Sequence, residues 1–394
     1  MTFPDRLPIP EEVLEIARTL EANGFEAWCV GGALRDALLG DPQADFDIAT
    51  SATPEQVQRL FRHTVPVGIR FGTVGVLDRR RRLHEVTTFR RDVATDGRHA
   101  VVEYGVSLEE DLARRDFTIN AIAYHPLRGE WVDPFDGAGD LERRVVRAVG
   151  VAAERFREDY LRILRALRFA ARLDFTIDPE TWAAACAAVP GLAGLSAERV
   201  RDEWFKSLDT ARSIERLVRL WKDVGAAAIW LPELKDPAPL PLPPPAQRDP
   251  VLLTCLLCTR PSEVLRRLRA SNAEIDRAAA IETGPAEPAG IDERSVRHWL
   301  ARHGRAADDL TALWQLKRGV PAPWARTAAA IRERGDPLSR KDLAVTGADL
   351  LAAGVPGGPH VGQMLDRLLD VVLDDPARNE KEHLLAIARE GLIR

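Results

Sequence analysis

Two aspartates separated by one aromatic residue are the first residues in this sequence that could do chemistry. Asp45 and Asp47 flank Phe46 in ADFDIAT, a stretch typical of a strand. Side chains i and i+2 of a strand share a face, so the two carboxylates should lie together while Phe46 enters the core. They would repel each other unless a cation joined them, and Mg²⁺ prefers such oxygens together with substrate phosphates. The pair predicts either a magnesium site for phosphoryl transfer or merely an acidic turn.

A glycine pair precedes the aspartates. Gly31 and Gly32 follow the apolar stretch FEAWCV and open the helix ALRDALLG. Glycines let backbone N–H groups approach a phosphate, and a helix N-terminus favours anions. Arg35, one turn into the helix, adds a mobile positive charge. Beside Asp45 and Asp47 these residues predict a nucleoside triphosphate site; the alternative is a tight turn with an Arg35–Asp36 salt bridge.

A third carboxylate is needed in many such sites, and Glu85 is the best candidate by position. It belongs to RLHEVTTFR, which predicts a strand. That strand could lie beside the strand of Asp45 and Asp47. Four arginines, 79–82, precede it and are expected at an exposed hairpin tip, with RNA contact as the alternative.

A basic segment lies over a hundred residues further on. ERFREDYLRILRALRFAARL, 154–173, is expected to form one helix with an apolar half. Asp159, Arg162, Arg165 and Arg168 fall on the other half, each three residues after the last. The row winds slowly around the helix and could follow a ligand from its base to its phosphates.

Asp159 and Arg162 stand at i and i+3, where helix side chains meet. They could form an ordinary ion pair or read a nucleotide base. A carboxylate accepts from the amino group of cytosine or adenine, and a guanidinium donates to the adjacent ring acceptor. Uracil and guanine present a carbonyl instead, and such contacts discriminate by about 1–3 kcal/mol. The pair could therefore accept C and A while excluding U and G.

Length and composition limit the remaining possibilities. The chain has 394 residues and a net charge of −5, which suits a two- to four-domain protein without an overall basic surface. No apolar run reaches membrane-spanning length, and the N-terminus shows no secretory signal, so we expect no membrane partner and a cytoplasmic location. Cys255 and Cys258 are expected as buried thiols rather than a metal site. Strands stop near residue 150, which predicts an α+β head of 1–150 followed by an all-helical region with a proline-rich connector, 235–250.

These motifs together resemble a family. GGALRD, DFDIAT, RRDFTINA, DPFDG and EDYLRILRALRF occur in the order found in class II tRNA nucleotidyltransferases, the CCA-adding enzymes, and in related bacterial poly(A) polymerases. The resemblance covers about 25–205, including LSAERVRDEWFKSL. It implies a polymerase β-like nucleotidyltransferase head with a mixed sheet, then a helical neck (151–210) that recognises the base and a helical body and tail (211–394) that bind tRNA. It also implies Mg²⁺-dependent addition of C, C and A to tRNA 3′ ends from CTP and ATP, without a template and with release of pyrophosphate.

The resemblance also assigns roles residue by residue. Asp45 and Asp47 match the metal-binding acids, and Asp159 with Arg162 matches the base-reading pair. The further nucleotide contacts it implies are Gly32, Arg35, Arg115, Arg165 and Arg168, with Asp116 and Asn120 shaping the site. Beyond residue 210 it is too weak to name tRNA contacts.

The product of the reaction is left partly open. The stretch RRDVATDGRHAVVEYGVSLEED resembles the loop of full CCA-adding enzymes, which argues against CC-only addition. A-only addition and poly(A) synthesis remain alternatives. The acidic balance of the chain disfavours a polymerase that acts on many RNAs.

Overall fold

The computed structural model describes residues 2–40, 46–95, 100–236, 239, 243–244, 247–283 and 286–390. The chain forms two compact units. One comprises Met1–Ala238 and Arg267–Arg269, and the other Pro239–Arg266 and Ala270–Arg394. The first change of unit along the chain falls within the proline-rich segment 235–250.

A seven-stranded mixed sheet is the framework of the first unit. Its strands are β1 (Ala27–Val30), β2 (Asp47–Thr50), β3 (Thr64–Gly68), β4 (Thr73–Leu77), β5 (Leu83–Thr88), β8 (Ala123–Tyr124) and β9 (Trp131–Val132). Their order is β3-β4-β5-β2-β1-β8-β9. β2 runs parallel to β5 and antiparallel to β1, so the predicted mixed sheet is confirmed. The arginines 79–82 lie exposed between β4 and β5, as predicted.

Amphipathic helices cover the sheet and bury its apolar residues. α1 (Glu11–Ala22), α2 (Gly32–Leu38) and α3 (Pro54–Leu60) alternate with the first strands. The Thr53 side chain accepts from the backbone N–H of Gln56, which confirms the predicted N-cap of α3. Leu20, Leu34 and Ile48 are fully buried in the core between helices and sheet.

Two strand pairings were not predicted. β6 (Arg90–Thr95) and β7 (Ala100–Tyr104) form a separate antiparallel hairpin. It occupies the segment whose polar tip suggested a loop, and 96–99 lie outside the described residues. β10 (Val145–Val146) and β11 (Thr176–Ile177) pair in parallel, so a short strand interrupts the region expected to be all helical.

The rest of the first unit is mainly helical. Its helices are α4 (Leu108–Ala113), α5 (Gly137–Arg143), α6 (Ala152–Glu158), α7 (Leu161–Leu173), α8 (Pro179–Ala188), α9 (Ala197–Thr210), α10 (Ile214–Asp223) and α11 (Ala226–Trp230). The prediction of one helix over 154–173 is wrong, because α6 ends at Glu158 and α7 begins at Leu161. Asp159 is extended, with φ −154° and ψ 105°. The Tyr160 ring lies so close to Gly191 that a Cβ there would be 2.1 Å from the ring.

The second unit is helical throughout its described residues. The helices that follow the proline-rich segment are α12 (Pro250–Leu257), α13 (Pro261–Arg267), α14 (Asn272–Glu282), α15 (Glu293–His303), α16 (Ala306–Arg318), α17 (Ala325–Glu333), α18 (Gly347–Ala352), α19 (Pro359–Asp374) and α20 (Lys381–Glu390). Cys255 and Cys258 are buried, as predicted, and burial raises the pKa of Cys255 to about 12. Across the described ranges, no helix has the length and apolar character needed to span a membrane.

Candidate nucleotide-binding site

A pocket of about 530 Å³ in the first unit collects most of the predicted site residues. Nine arginines and three aspartates contribute to its lining, an excess of six positive charges: Arg35, Arg90, Arg114, Arg115, Arg162, Arg165, Arg168, Arg172 and Arg199 against Asp47, Asp116 and Asp159. Gly31 and Gly32 complete one wall, and Asn120 and Phe169 lie deeper. A nucleoside triphosphate carries about four negative charges, so the balance suits such a ligand.

Asp47 opens β2 at the wall of this pocket. Its side chain is exposed, and its backbone lies opposite Val30 in the antiparallel pair with β1. Gly31, the next residue after Val30, has φ +79° and ψ −143°, which only glycine adopts without strain. A Cβ on Gly31 would lie 3.2 Å from Nη1 of Arg115 and 3.9 Å from Oδ2 of Asp47. The glycine therefore leaves room where an acid and an arginine converge.

Glu85 is brought beside Asp47 by strand register. Ile48 aligns with Val86 in the parallel β2–β5 pair, so the preceding residues are neighbours on adjacent strands. Both side chains are exposed, although Glu85 does not line the pocket. Asp45 lies outside the described residues. Within the part of the chain that the structure describes, no three or more His, Cys, Asp or Glu side chains cluster as a metal site.

Arg35 is fixed rather than mobile. It is 2% exposed, and its guanidinium donates to Oδ1 of Asn120 at 2.6 Å and to Oδ1 of Asp36 at 2.9 Å. Burial lowers the pKa of Arg35, and the neighbouring Asp36 opposes that shift. The guanidinium also lies 4.8 Å from the centre of the Phe169 ring. The predicted Arg35–Asp36 salt bridge is thus present, and Arg35 forms part of the pocket lining.

Asp116 joins the RRDF segment to α7. Its Oδ1 accepts from Nδ2 of Asn120 at 2.9 Å, and its Oδ2 accepts from Nε of Arg165 at 2.8 Å. Burial alone would raise the pKa of Asp116, but Arg165 and the Asn120 hydrogen bond lower it to about 2. The ionised carboxylate therefore holds Arg165 at the pocket.

Arg115 is anchored by an acid that the sequence did not single out. Its Nη2 donates to Oδ2 of Asp111 at 3.0 Å, and Arg114 donates to Oδ1 of the same carboxylate. Asp111 is 1% exposed. Nε of Arg115 is buried without a hydrogen-bond partner among the described residues. The fork of Arg115 is thus only partly used by the protein.

Asp159 and Arg162 both line the pocket but do not pair with each other. Oδ2 of Asp159 accepts from Nη2 of Arg199 at 2.7 Å, and Oδ1 accepts from the backbone N–H of Leu161 at 3.1 Å. Nη1 of Arg162 donates to Glu158 at 2.7 Å, and its Nη2 donates to the carbonyl oxygen of Arg114 at 3.0 Å. The expected i, i+3 contact is absent because a helix break and two other partners separate the pair.

Arg168 is the most buried arginine of the α7 row. It is 8% exposed, pairs with the buried Glu203 of α9, and lies 4.3 Å from the centre of the Phe169 ring. Burial lowers the pKa of Arg168, and Glu203 opposes that shift. Its contact with the protein is therefore substantial before any ligand binds.

Several lining residues were not singled out from the sequence. They are Arg90, Arg114, Phe169, Arg172 and Arg199. Arg172 continues the row of arginines along α7, a signal that was visible. Arg199 lies within LSAERVRDEW, one of the stretches that carried the family resemblance. Its contact with Asp159 spans 40 residues, and local periodicity does not report such a contact.

Comparisons with known proteins identify three family models along the chain. A poly A polymerase head domain matches residues 27–147, a probable RNA and SrmB-binding site of polymerase A matches 174–236, and a putative tRNA nucleotidyltransferase domain 2 matches 250–388. The CCA-adding enzyme of Geobacillus kaustophilus is 38% identical over 391 residues, covering 95% of this chain and 96% of that protein. The chain belongs to the CCA-adding enzyme family of tRNA nucleotidyltransferases. The family depends on divalent metal generally.

Further members agree in sequence and in fold. The CCA-adding enzyme of Streptococcus sanguinis is 47% identical over 230 residues, covering 57% of this chain and 56% of that one. The structure of the Bacillus stearothermophilus CCA-adding enzyme in complex with CTP superposes with a TM-score of 0.79 at 33% identity, covering 97% of each chain. A Thermotoga maritima CCA-adding enzyme complexed with tRNA shares the fold, with a TM-score of 0.64 at 22% identity over 96% of this chain and 94% of that chain.

Proposed function

We propose that this protein adds C, C and A to the 3′ end of tRNA from CTP and ATP and releases pyrophosphate. One observation carries the proposal. A single pocket holds an exposed strand-edge carboxylate, Asp47, a surplus of arginines for a triphosphate, and Asp159 for an amino-bearing base. The named relatives that match nearly the full chain are CCA-adding enzymes, which supports this product over A-only addition or poly(A) synthesis.

Mg²⁺ fits the donor set proposed for this site. Asp47 would hold it together with Asp45, and Glu85 would be the third carboxylate, because register places it beside Asp47. Exposed carboxylate oxygens are ligands that Mg²⁺ prefers. When bound, the ion would polarise the reacting phosphate and favour deprotonation of the attacking hydroxyl. The chain's own residues have the separate task of aligning the 3′ hydroxyl with the α-phosphate.

The arginines are proposed to hold the triphosphate. Gly31 leaves space beside Arg115, and Gly32 lies against Arg35 in the same wall. Arg115 and Arg165 are the proposed phosphate contacts, because Asp111 and Asp116 hold their guanidiniums at the pocket. Their fixed positions would lower the reorganisation needed when charge develops at the phosphates. Arg35 and Arg168 would support the nucleotide from deeper in the lining.

Asp159 and Arg162 are the proposed base readers. Each oxygen of the Asp159 carboxylate already accepts one hydrogen bond and keeps a lone pair for an exocyclic amino group. Cytosine and adenine offer that donor, and uracil and guanine offer a carbonyl. Arg162 would donate to the ring acceptor. Separation of the two side chains leaves space for a base, which an Asp159–Arg162 ion pair would have closed.

The proposed division of labour follows the pocket. Its lining comes from the head (1–150) and the neck (151–210), which would catalyse the reaction and choose the base. The body and tail (211–394) would bind tRNA. The match of an RNA-binding family model to 174–236 supports RNA contact beginning near the neck. The four cysteines are all free thiols, which supports a reducing compartment and hence the cytoplasm.

Product length tests the proposal directly. tRNAs that end before CCA, after C and after CC would be incubated with Mg²⁺ and with labelled CTP or ATP, separately and together. We expect two additions from CTP on the shortest tRNA, one from ATP on the CC-ending tRNA, and three from the mixture. Long A tails, or ATP use alone, would instead identify one of the two alternatives. The same reactions with EDTA should give no product.

A further inference from the structure

Asp159 and Arg162 are held by different elements of the fold. Arg199, in the first turn of α9, donates to Asp159. Glu158, at the end of α6, accepts from Arg162 at 2.7 Å. Side chains at i and i+3 normally attract each other when they are oppositely charged. Their separation in the pocket therefore depends on competing partners, and Arg199 is the competitor for the acid.

α9 is well placed to fix the position of Asp159. Arg199 and Glu203 lie one turn apart on α9, and they pair with Asp159 before α7 and with Arg168 within it. The two contacts have opposite polarity, so α9 supplies the cation for the acid and the acid for the cation. Val200 and Trp204 are fully buried on the same helix, which holds α9 in place.

The Arg199 contact comes with an unused donor. Nη1 of Arg199 is buried and makes no hydrogen bond within the described ranges. A buried N–H without a partner is unfavourable, and such groups call for an explanation other than stability. Holding the Asp159 carboxylate in one orientation provides that explanation.

We infer that Arg199 is a positioning residue for base selection, an inference that rests on the proposed base-reading role of Asp159. It binds Oδ2 of Asp159 and keeps the carboxylate from turning to Arg162. The acceptor for the amino group of C or A then stays in place, and the space for the base stays open. Without Arg199, Asp159 and Arg162 would close on each other.

The test is a comparison of kcat/KM for CTP, ATP, UTP and GTP, each offered singly to tRNA acceptors lacking CCA or ending in CC. R199Q should lower the values for CTP and ATP about 10- to 100-fold and change those for UTP and GTP less than about 3-fold. R201Q is the matched control, since Arg201 lies two residues along α9, pairs with Asp202 and does not line the pocket. It should match the wild type.

A double-mutant cycle separates positioning from a general structural role. If Arg199 acts through Asp159, R199Q should add less than about a twofold change in a D159A background. Equal losses for all four nucleotides, or multiplying effects in the double variant, would overturn the inference. If D159A relaxes selection and R199Q does not, only the role of Arg199 fails. If D159A itself keeps wild-type selection, the base-reading role fails and the inference fails with it.

Folding of the variants is checked by circular dichroism and thermal unfolding. Should R199Q not fold, R199K decides the question, because it keeps the charge but loses the planar fork. It is expected to show the same selective loss for CTP and ATP. Wild-type selectivity in R199K would contradict the inference.

Discussion

Nε of Arg165 donates to Oδ2 of Asp116 across 2.8 Å, and this contact ties α7 to the RRDF segment that follows α4. Arg165 and Asp116 are 49 residues apart in sequence, and both line the same pocket. The wall that would meet the phosphates and the helix that would meet the base are therefore joined by a charged hydrogen bond. Disturbing either wall should affect the other.

Asp116 should stabilise the fold in a pH-dependent way. Its pKa of about 2 lies below the usual value, so its stabilising effect is complete above about pH 4 and disappears as pH falls through 2. The shift corresponds to about 2 kcal/mol. In urea unfolding at pH 7, D116N should lose at least that much, and the gap to the wild type should narrow by about 2 kcal/mol between pH 5 and pH 2. A gap that does not depend on pH would contradict this.

Asp47 should be essential for nucleotide incorporation but not for folding. Its side chain is exposed at the start of β2, so D47A should unfold at the wild-type temperature. Incorporation of CTP should fall about 1,000-fold or more, because metal-assisted catalysis contributes several kcal/mol. The sequence predicts the same for D45A. D5A, an exposed substitution away from the pocket, is the control, and appreciable activity in D47A would remove the metal assignment.

Glu85 should behave as a third carboxylate. E85Q keeps the size of the side chain and removes its charge beside Asp47, so incorporation should fall at least about 10-fold. The fall should be partly relieved by higher Mg²⁺ concentrations. E130Q, another exposed acid of the first unit, serves as the comparison. Wild-type kinetics at every Mg²⁺ concentration would show that Glu85 is a bystander.

Gly31 should matter for two separable reasons. G31A forces alanine into φ +79°, which costs about 1–3 kcal/mol, and puts a methyl group 3.2 Å from Arg115. Both unfolding temperature and nucleotide affinity should decline. Gly24 also has a positive φ, +82°, but a Cβ there meets nothing within 4 Å. G24A should therefore lose stability alone, and a parallel loss of affinity in G24A would rule out a local effect at Gly31.

Arg162 should contribute to selection of C and A. R162A removes the proposed donor to the ring acceptor, so kcat/KM for CTP and ATP should drop about 10- to 100-fold, with UTP and GTP discriminated less. The variant also loses the bond to the Arg114 carbonyl, so its unfolding is measured alongside. R162K keeps the charge without the fork and should recover stability more than selectivity. Unchanged ratios among the four nucleotides in R162A would reject the role.

Much of the head could be predicted because its signals are local. The strand of Asp47, the turn at Gly31 and the N-cap at Thr53 follow from residue type and spacing, and the structure has all three. The arginine row along α7 also follows from spacing. These features depend on neighbours within a few residues.

The break between α6 and α7 could not be predicted from its own residues. REDYLR contains no glycine or proline, and it continues an apolar pattern of helical period. The interruption goes with contacts made at long range, where Tyr160 packs on Gly191 and Asp159 binds Arg199. The same contacts decide which partner Asp159 takes, so the ion pair expected from spacing does not form.

The first lysine of the chain is Lys206, so every cation in the pocket lining is a guanidinium. A guanidinium can bind a protein acceptor with one nitrogen and present another to a ligand, whereas an ammonium concentrates its charge on a single atom. Arg162 alone uses Nη1 and Nη2 on different elements of the fold. Exchange of these arginines for lysines would leave the isoelectric point nearly unchanged and dismantle the pocket. Over evolutionary time, codons at these positions should tolerate a change in charge carrier far less than the composition of the whole chain suggests.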